Sequence, residues 1–414
     1  MSTKQFSIPK QLVWEAWKQV KCNGGSSGID RESIEQFELN LKGNLFKIWN
    51  RMSSGSYMPP PVKGVPIPKK TAGVRVLGVP TVGDRVAQTV AKTALEKILE
   101  KEFLPDSYGY RPGKSAHQAI TVTQKRCWTY PWVLEFDIKG LFDEIPHELL
   151  LKALKHHTQC KWILLYVERW LKAPMQMVDG GIVTRSKGTP QGGCVSPVLS
   201  NLFLHYVFDK WMGRNHGDKP WCRYADDGLV HCKSEFQARD LLEDLKVRFK
   251  ECGLEIHPTK TRIVYCKDAN RKLSTNAPTE FRFLGFVFKS RPIFNKKLKK
   301  PFMGFYPAIG DDALKEMRRI IKFRWNIGLG VHRSLDDIAA EINPIVRGWI
   351  TYYGEFYPSR LVKMANYIDR QLEKWARRKY LSLRGKYARS HEWLQSVFKE
   401  NPGLFAHWQY FPVY

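Results

Sequence analysis

The sequence predicts an α+β fold over about residues 1–290, followed by an α-helical region over 291–414. Three observations carry that reading. Up to about residue 290, short runs of alternating apolar and polar residues, bounded by Pro and Gly, are interleaved with segments at helical spacing. Beyond it only helical spacing persists: Leu335, Ile338, Ala339, Ile342, Val346 and Trp349 form one stripe, and Leu361, Met364, Ala365, Ile368, Leu372 and Trp375 a second. Finally, 414 residues that are 43% hydrophobic are ample for a substantial core.

The elements follow in order. Residues 9–50 read as helices around the turn GGSSGID (24–30), where Gly and Ser break the periodicity. Segment 57–80 alternates between prolines around a glycine turn, and reads as a hairpin with edge character carrying Lys63, Lys69, Lys70 and Arg75. Helix returns over 83–102, with Val86, Val90, Ala94, Leu95 and Ile98 near helical spacing. WVLEFDI (132–138) reads as a buried strand, followed by a turn and a helix from about Pro146. Residues 175–193 read as a Gly-turned hairpin entering a loop, 196–212 as helix, and WCRYADDGLVHC (221–232) as strand–turn–strand. A helix over 236–252, a short strand pair through 255–266 and a strand over 281–288 complete the mixed region; KKLKKP (296–301) is a basic linker or hairpin tip.

Charge narrows the function. Lys and Arg number 67 against 40 Asp and Glu, a net +27, which concentrates polyanions at the surface and points to nucleic acid ahead of an anionic membrane. No apolar run approaches the ~18 residues of a membrane span, and MSTKQFSIPKQLVWEAW is not built like a signal peptide. The eight cysteines form no CxxC pair, so a zinc site is unsupported; scattered thiols suit a reducing cytoplasm.

Two acidic sites fall on predicted strands: Asp137, with Asp143 six residues on, and the doublet Asp226-Asp227 at the turn of a hairpin. A buried Asp among apolar neighbours is costly unless it pairs or binds a cation. A doublet on a tight hairpin presents two carboxylates where a partner strand offers a third. Three such oxygen donors suit Mg2+, and two ions can clamp the attacking and leaving oxygens of a phosphoryl transfer. Taken alone, an Asp-Asp pair is most often a turn, and Asp137 a strand-end turn former.

The order of motifs decides between these. The sequence carries PKKTAGVRVLGVP, SYGYRPGKSAH, FDIKGLFDEIPH, GTPQGGCVSPVLSN, YADD, the Lys260-Thr261 pair and FLGF, in that order. Over residues 12 to 290 this series resembles the reverse transcriptases encoded by bacterial group II introns. The tail resembles the maturase region of that family through INPIVRGWITYYG (342–354) and LFAHW (404–408).

The resemblance implies a right-hand polymerase, with fingers and an antiparallel palm sheet in 1–290, an amino-terminal extension over about 12–50, and an α-helical thumb and maturase region in 291–414. It implies RNA-directed DNA synthesis by two-metal nucleotidyl transfer, with two Mg2+ ions, or Mn2+ in their place, on Asp137, Asp226, Asp227 and the carbonyl of Ile138. Phe142 takes the place of the aromatic gate under the deoxyribose, Gln191 that of the nucleotide-contacting Gln, and Lys69 and Arg75 those of the triphosphate-neutralising cations. Lys260 matches a Lys proposed to protonate pyrophosphate. Phe283, Leu284 and Gly285 match the primer grip, and the 24–40 segment the extension that holds template. On the residues alone, Phe142 is equally a core aromatic, Lys69 and Arg75 a solvated face, and Lys260 a surface charge.

Opposite its apolar stripe the 360–380 helix carries Arg360, Lys363, Arg370, Lys374, Arg377 and Arg378, a face suited to structured RNA. The implied partners are group II intron RNA, an RNA template with a DNA primer, target DNA and dNTPs, with no membrane; the sequence names no protein partner. The chain stops soon after LFAHW, so the form without an endonuclease module, using other primers, is expected. Two alternatives stand beside this: a domesticated relative in phage defence or DNA repair, distinguished by whether intron RNA flanks the gene, and an RNA-binding splicing factor without polymerase activity, which the three Asp ligands oppose.

Overall fold

The computed structural model describes residues 4–68, 73–271, 276–295 and 299–413. Its packing separates two compact units, Met1–Ala119 with Trp132–Ile263, and Ile120–Pro131 with Val264–Tyr414.

The first unit opens with helices α1 (Lys10–Asn23), α2 (Ile34–Leu39) and α3 (Leu41–Ser53). Val13, Ala16, Trp17 and Val20 put the buried face of α1 at helical spacing, and Ser33 with Gln36 closes a capping box at the start of α2. The GGSSGID segment between α1 and α2 is anchored by Arg85, which donates to the carbonyls of Gly24 and Ser26 at 2.9 and 3.0 Å. Strands β1 (Val62–Pro68) and β2 (Val74–Val79) pair antiparallel from Lys63↔Val79 to Pro68↔Val74. Beyond Lys63 the outer edge of β1 has no ladder partner among the described residues, so Pro66 and Pro68 forfeit no hydrogen bond.

Helix α4 (Val82–Leu99), capped by Thr81, is buried along most of its length, and Asp84 in its first turn accepts from Tyr57, Trp170 and Gln88. After α5 (Ala116–Thr129) come β3 (Trp132–Asp137), α6 (Leu141–Glu144), α7 (His147–His157) and α8 (Lys161–Lys172). Two-residue strands β4 (Met175–Gln176) and β5 (Ile182–Val183) then extend the first sheet to the order β2-β1-β4-β5. The apolar run 196–212 becomes α9 (Ser196–Leu204), a π turn over His205–Asp209, and α10 (Lys210–Asn215). Strands β6 (Trp221–Tyr224) and β7 (Asp227–Cys232), helix α11 (Glu235–Glu251) and β8 (Arg262–Tyr265) complete a second sheet of order β6-β7-β3-β8. The strand pair expected over 255–266 is β8 alone, with an isolated bridge between Ile138 and Ile256.

In the second unit the single strand expected over 281–288 is two: β9 (Glu280–Phe283) and β10 (Phe286–Asn295), turned at Leu284 and Gly285. Both turn residues have positive φ, 50° and 79°, the geometry of a two-residue hairpin whose second position favours Gly. β10 pairs antiparallel with β11 (Lys300–Ile309), so β-structure continues past residue 290 and the expectation of an all-helical chain from there is corrected. Of the two readings offered for KKLKKP, linker or hairpin tip, the paired flanks FVFKSRPIFN and KPFMGFYPAI agree with the second, and their composition suits strands.

Helices α12 (Asp311–Arg319), α13 (Leu335–Tyr353), α14 (Val362–Lys379) and α15 (Tyr387–Glu400) follow. The stripes place as expected: Ile338, Ala339, Ile342 and Val346 of α13 and Met364, Ala365, Ile368, Leu372 and Trp375 of α14 are buried in one core, with Leu335 and Trp349 packed at its margin. The two maturase-like motifs meet there. Asn343 donates to the carbonyl of Leu404 and accepts from the amide of Ala406, both at 2.8 Å, and Asp369 accepts from His407 and Trp408.

Candidate active site

The acidic residues come together on the second sheet. β3 and β7 pair so that Asp137 faces Asp227 directly, and Asp226 occupies the β6–β7 turn beside it. The sequence builds this turn with little freedom. Ala225, buried, is held at φ 57°, a conformation costing roughly 1–2 kcal/mol for a residue with a Cβ. Gly228 is required because a Cβ there would lie 2.1 Å from Phe136 Cζ on the paired strand. Gly109 of SYGYRP is required because its Cβ would come within 2.4 Å of the Ala225 nitrogen.

The electrostatics show charge in excess. Part of Asp227 stays open to solvent, yet loss of surrounding water, then repulsion from Asp226 and Asp137, pushes its carboxyl up to about 7 against the opposing pull of Lys260. Asp226 is raised by the same causes, desolvation first and Asp137 next. The Lys260 ammonium donates to Asp137 Oδ2 at 2.7 Å. Ile138 is buried, its backbone bridged to Ile256.

In kind the donor set fits a hard divalent cation: oxygen ligands only, three carboxylates, and a mutual repulsion that a cation relieves. Among the described residues no three His, Cys, Asp or Glu side chains stand close enough to enclose an ion as they are. Asp137 is paired with the Lys260 ammonium.

Three of the residues expected to contact the nucleotide, Arg75, Phe142 and Gln191, meet at the GTPQGG loop. The GTPQGG loop lies against α6 and β2: Thr189 donates to the Phe142 carbonyl at 2.6 Å, and Gly78 to the Gln191 carbonyl at 2.7 Å. Two glycines permit it, since a Cβ on Gly188 would meet the Asp143 carbonyl at 2.6 Å and one on Gly192 the Gly78 carbonyl at 2.4 Å. Gln191 links Arg75 to Asp143, accepting from Arg75 Nε and donating to Asp143 Oδ2 at 2.8 Å. Phe142 is half-buried. Lys69 lies outside the described residues.

Phe283, Leu284 and Gly285 belong to the second unit. The Leu284 carbonyl accepts from Tyr352 at 2.8 Å, and Gly285 leaves room for Tyr353, whose hydroxyl a Cβ would approach to 3.0 Å. The basic residues of 360–378 do not form one free face. Lys363, Arg370 and Lys374 are exposed, whereas Arg360 bonds Asp311 and Arg377 bonds Ser390 Oγ and stacks on Tyr387. Arg378 is exposed with one nitrogen on the Gly328 carbonyl.

Two features of the site were not singled out from the sequence. Tyr110, at φ 58° and half exposed, has its hydroxyl raised by burial and then by Asp226, which places it beside the carboxylates. Arg223, two residues before Ala225, is fully buried and bonded to Asp209. The signal for the latter was a charged residue within an apolar strand run, WCRY.

An antiparallel sheet presenting two strand-borne acidic sites, flanked by a basic hairpin and a glycine-rich loop, is the palm arrangement of a template-dependent nucleotidyl transferase. Residues 67–288, more than half of the chain, match the family model described as reverse transcriptase (RNA-dependent DNA polymerase), and 314–393 match the group II intron maturase-specific domain. The chain belongs to the reverse transcriptases, in the group II intron branch that also carries a maturase domain.

It is 29% identical over 299 residues to protein YkfC of Escherichia coli (strain K12), covering 63% of this chain and 78% of YkfC. It is 31% identical over 212 residues to the group II intron-encoded protein LtrA of Lactococcus lactis subsp. cremoris, covering 50% of this chain and 34% of LtrA. A 91 kDa protein in the cob intron of Schizosaccharomyces pombe is 24% identical over 429 residues, covering 84% of this chain and 50% of that protein. The chain thus spans half or less of two of these relatives. Polymerases of this family use divalent cations, and among the described residues no helix is long and apolar enough to cross a membrane.

Proposed function

We propose that the protein copies RNA into DNA, extending a primer 3′-end on a group II intron or related RNA template, and assists folding and splicing of that intron RNA. The observation that carries the catalytic half is the pairing of Asp137 with Asp227 across β3 and β7, with Asp226 adjacent. In this reading those three residues, with the Ile138 carbonyl, hold two Mg2+ ions, for which Mn2+ can substitute. When bound, the ions supply Lewis-acid charge opposite the attacking and leaving oxygens.

The chain's own residues do the rest. The primer 3′-oxygen forms a bond to the α-phosphorus as the bond to the β-phosphate oxygen breaks, releasing pyrophosphate. Arg75, with Lys69, neutralises the triphosphate, and Gln191 orients Arg75 through the hydrogen bond between them. Phe142 excludes a 2′-hydroxyl by filling the space beneath the sugar. Lys260 is the counter-ion of Asp137 and the residue that protonates the leaving pyrophosphate.

Residues to about 290 supply fingers and palm, with Phe283, Leu284 and Gly285 at the primer terminus, and 291–414 supply thumb and maturase surface. The exposed cations Lys363, Arg370 and Lys374 suit an RNA backbone, and the maturase-specific match over 314–393 supports that assignment. The test is primer extension on an RNA template with Mg2+ by the parent and by Asp226→Asn. Loss of several orders of magnitude in the variant is expected; near-parental extension overturns the assignment.

A further inference from the structure

Behind the catalytic turn lies a polar network in which every donor of one arginine is used. Arg223 has five N–H groups. Nε and Nη2 bond the two oxygens of Asp209 at 2.7 and 2.6 Å, and Nη2 also bonds Ser107 Oγ at 2.8 Å. Nη1 bonds Asn201 Oδ1 at 3.0 Å and the carbonyl of Ala225 at 3.1 Å. Asn201 in turn donates to the carbonyl of Gly109 at 2.7 Å, the residue packed against the Ala225 nitrogen. Asp209 is delivered by the last residue of the π turn His205–Asp209, a helical irregularity often found at functional sites.

Stability alone does not account for this arrangement. Both side chains of the ion pair are fully buried, and the desolvation of such a pair commonly cancels its attraction, so well-packed apolar residues hold a fold as firmly. What the network supplies is direction. It fixes the Ala225 carbonyl one residue before Asp226, at a position whose φ of 57° is otherwise unfavourable, and so sets where the following two carboxylates point. Lysine cannot replace it, because an ammonium lacks the planar fork that serves Asp209 and Ala225 together.

We propose that Arg223, oriented by Asp209, is a positioning residue that fixes the backbone of the Asp226–Asp227 turn from which the two carboxylates reach a cation. The inference rests on the reading of those carboxylates as metal ligands. Arg223 itself touches neither substrate nor cation.

The test is Mn2+ binding, followed by electron paramagnetic resonance on protein without nucleic acid or nucleotide, together with steady-state primer extension. Each protein is held well below its own melting temperature. Arg223→Lys should bind Mn2+ roughly tenfold more weakly and lose roughly 10- to 100-fold in kcat, the range seen when the support behind a metal ligand is removed, with primer–template affinity unchanged. Leu245→Ala, a cavity in the α11 core of the same unit, should lower the melting temperature and leave Mn2+ affinity alone.

Parental Mn2+ affinity and kcat in Arg223→Lys, or equal weakening by Leu245→Ala, overturns the proposal. If Arg223→Lys does not fold, Asp209→Asn, which keeps shape and one acceptor, is read by the same two outcomes. A parent that neither binds Mn2+ nor extends a primer overturns the site and this inference with it; a parent that does both, beside a matching variant, overturns the inference alone.

Discussion

Lys260 reaches Asp137 across 123 residues of sequence, its Nζ 2.7 Å from Oδ2. If Asp137 ligates a divalent cation as proposed, the ammonium competes with that cation for one of its oxygens. Lys260→Met keeps the aliphatic length and removes the charge. At mildly alkaline pH, Mn2+ should bind the variant at least as tightly as the parent, while the single-turnover rate falls roughly 10²-fold through loss of a proton donor. Weakened binding with an unchanged rate, measured by spin-resonance titration and rapid quench, would count against both roles.

Gln191 ties Arg75 to Asp143, so Arg75 and Gln191, both proposed to serve the nucleotide, are expected to act as one unit. Arg75→Ala and Gln191→Ala should each raise KM for a dNTP roughly tenfold. In the double variant the losses should fall short of additive by on the order of 1 kcal/mol, as for residues in contact. Additivity in kcat/KM would show that the hydrogen bond does not serve nucleotide binding.

Phe142 is half-buried, and its backbone carbonyl accepts from the amide of Thr189. Phe142→Ala should admit ribonucleotides, because exclusion here is steric. The ratio of kcat/KM for dNTP over rNTP should drop by at least about tenfold, or ~1.4 kcal/mol of discrimination. An unchanged ratio makes Phe142 a packing residue.

Much of this was legible in the sequence because periodicity and motif order are local signals. The apolar stripes of α13 and α14 and the Asp226-Asp227 hairpin need only neighbouring residues to be read. What escaped was long-range or disguised. Arg223 pairs with Asp209 from another element, and no spacing rule announces that a charged residue in a strand is fully buried. Strand β11 escaped because KKLKKP reads equally as a linker, and the Leu284-Gly285 turn because apolar residues flank it on both sides. The basic residues read over 360–380 are not equally free, because Arg360 bonds Asp311 and Arg377 bonds Ser390 within the second unit.

His205 offers a test of stability against pH. Its ring is fully buried beside Phe103, and burial first, then Lys210 and Arg223, lowers it from 6.5 to about 4. The unfolded chain therefore binds the extra proton between those values and the folded chain does not. Stability is full above the unfolded value and is lost as pH falls toward 4, by up to about 3 kcal/mol. Urea unfolding should show a steeper loss from neutral to acid pH in the parent than in His205→Leu. Parallel pH profiles would remove His205 from the acid sensitivity.

The last prediction concerns the exposed and the tethered cations of α14. Lys363, Arg370 and Lys374 are exposed, so changing all three to Gln removes charge at little cost in helix propensity. If they bind intron RNA through phosphates, affinity should fall and the slope of log K against log salt should flatten by roughly 2 to 3 units, with the melting temperature unchanged. Arg377 behaves differently, because its guanidinium donates to Ser390 Oγ at 2.6 Å and stacks 4.2 Å from the Tyr387 ring centre. Arg377→Gln should cost roughly 1–2 kcal/mol of stability and shift the salt slope by less than one unit. Filter binding across a salt series and thermal melts separate the two effects. A triple variant with the parental salt slope would make this face merely solvated. One that also loses extension of a short primer on a simple template would assign α14 to the primer–template track, because the salt slope alone cannot tell an intron RNA from a template strand.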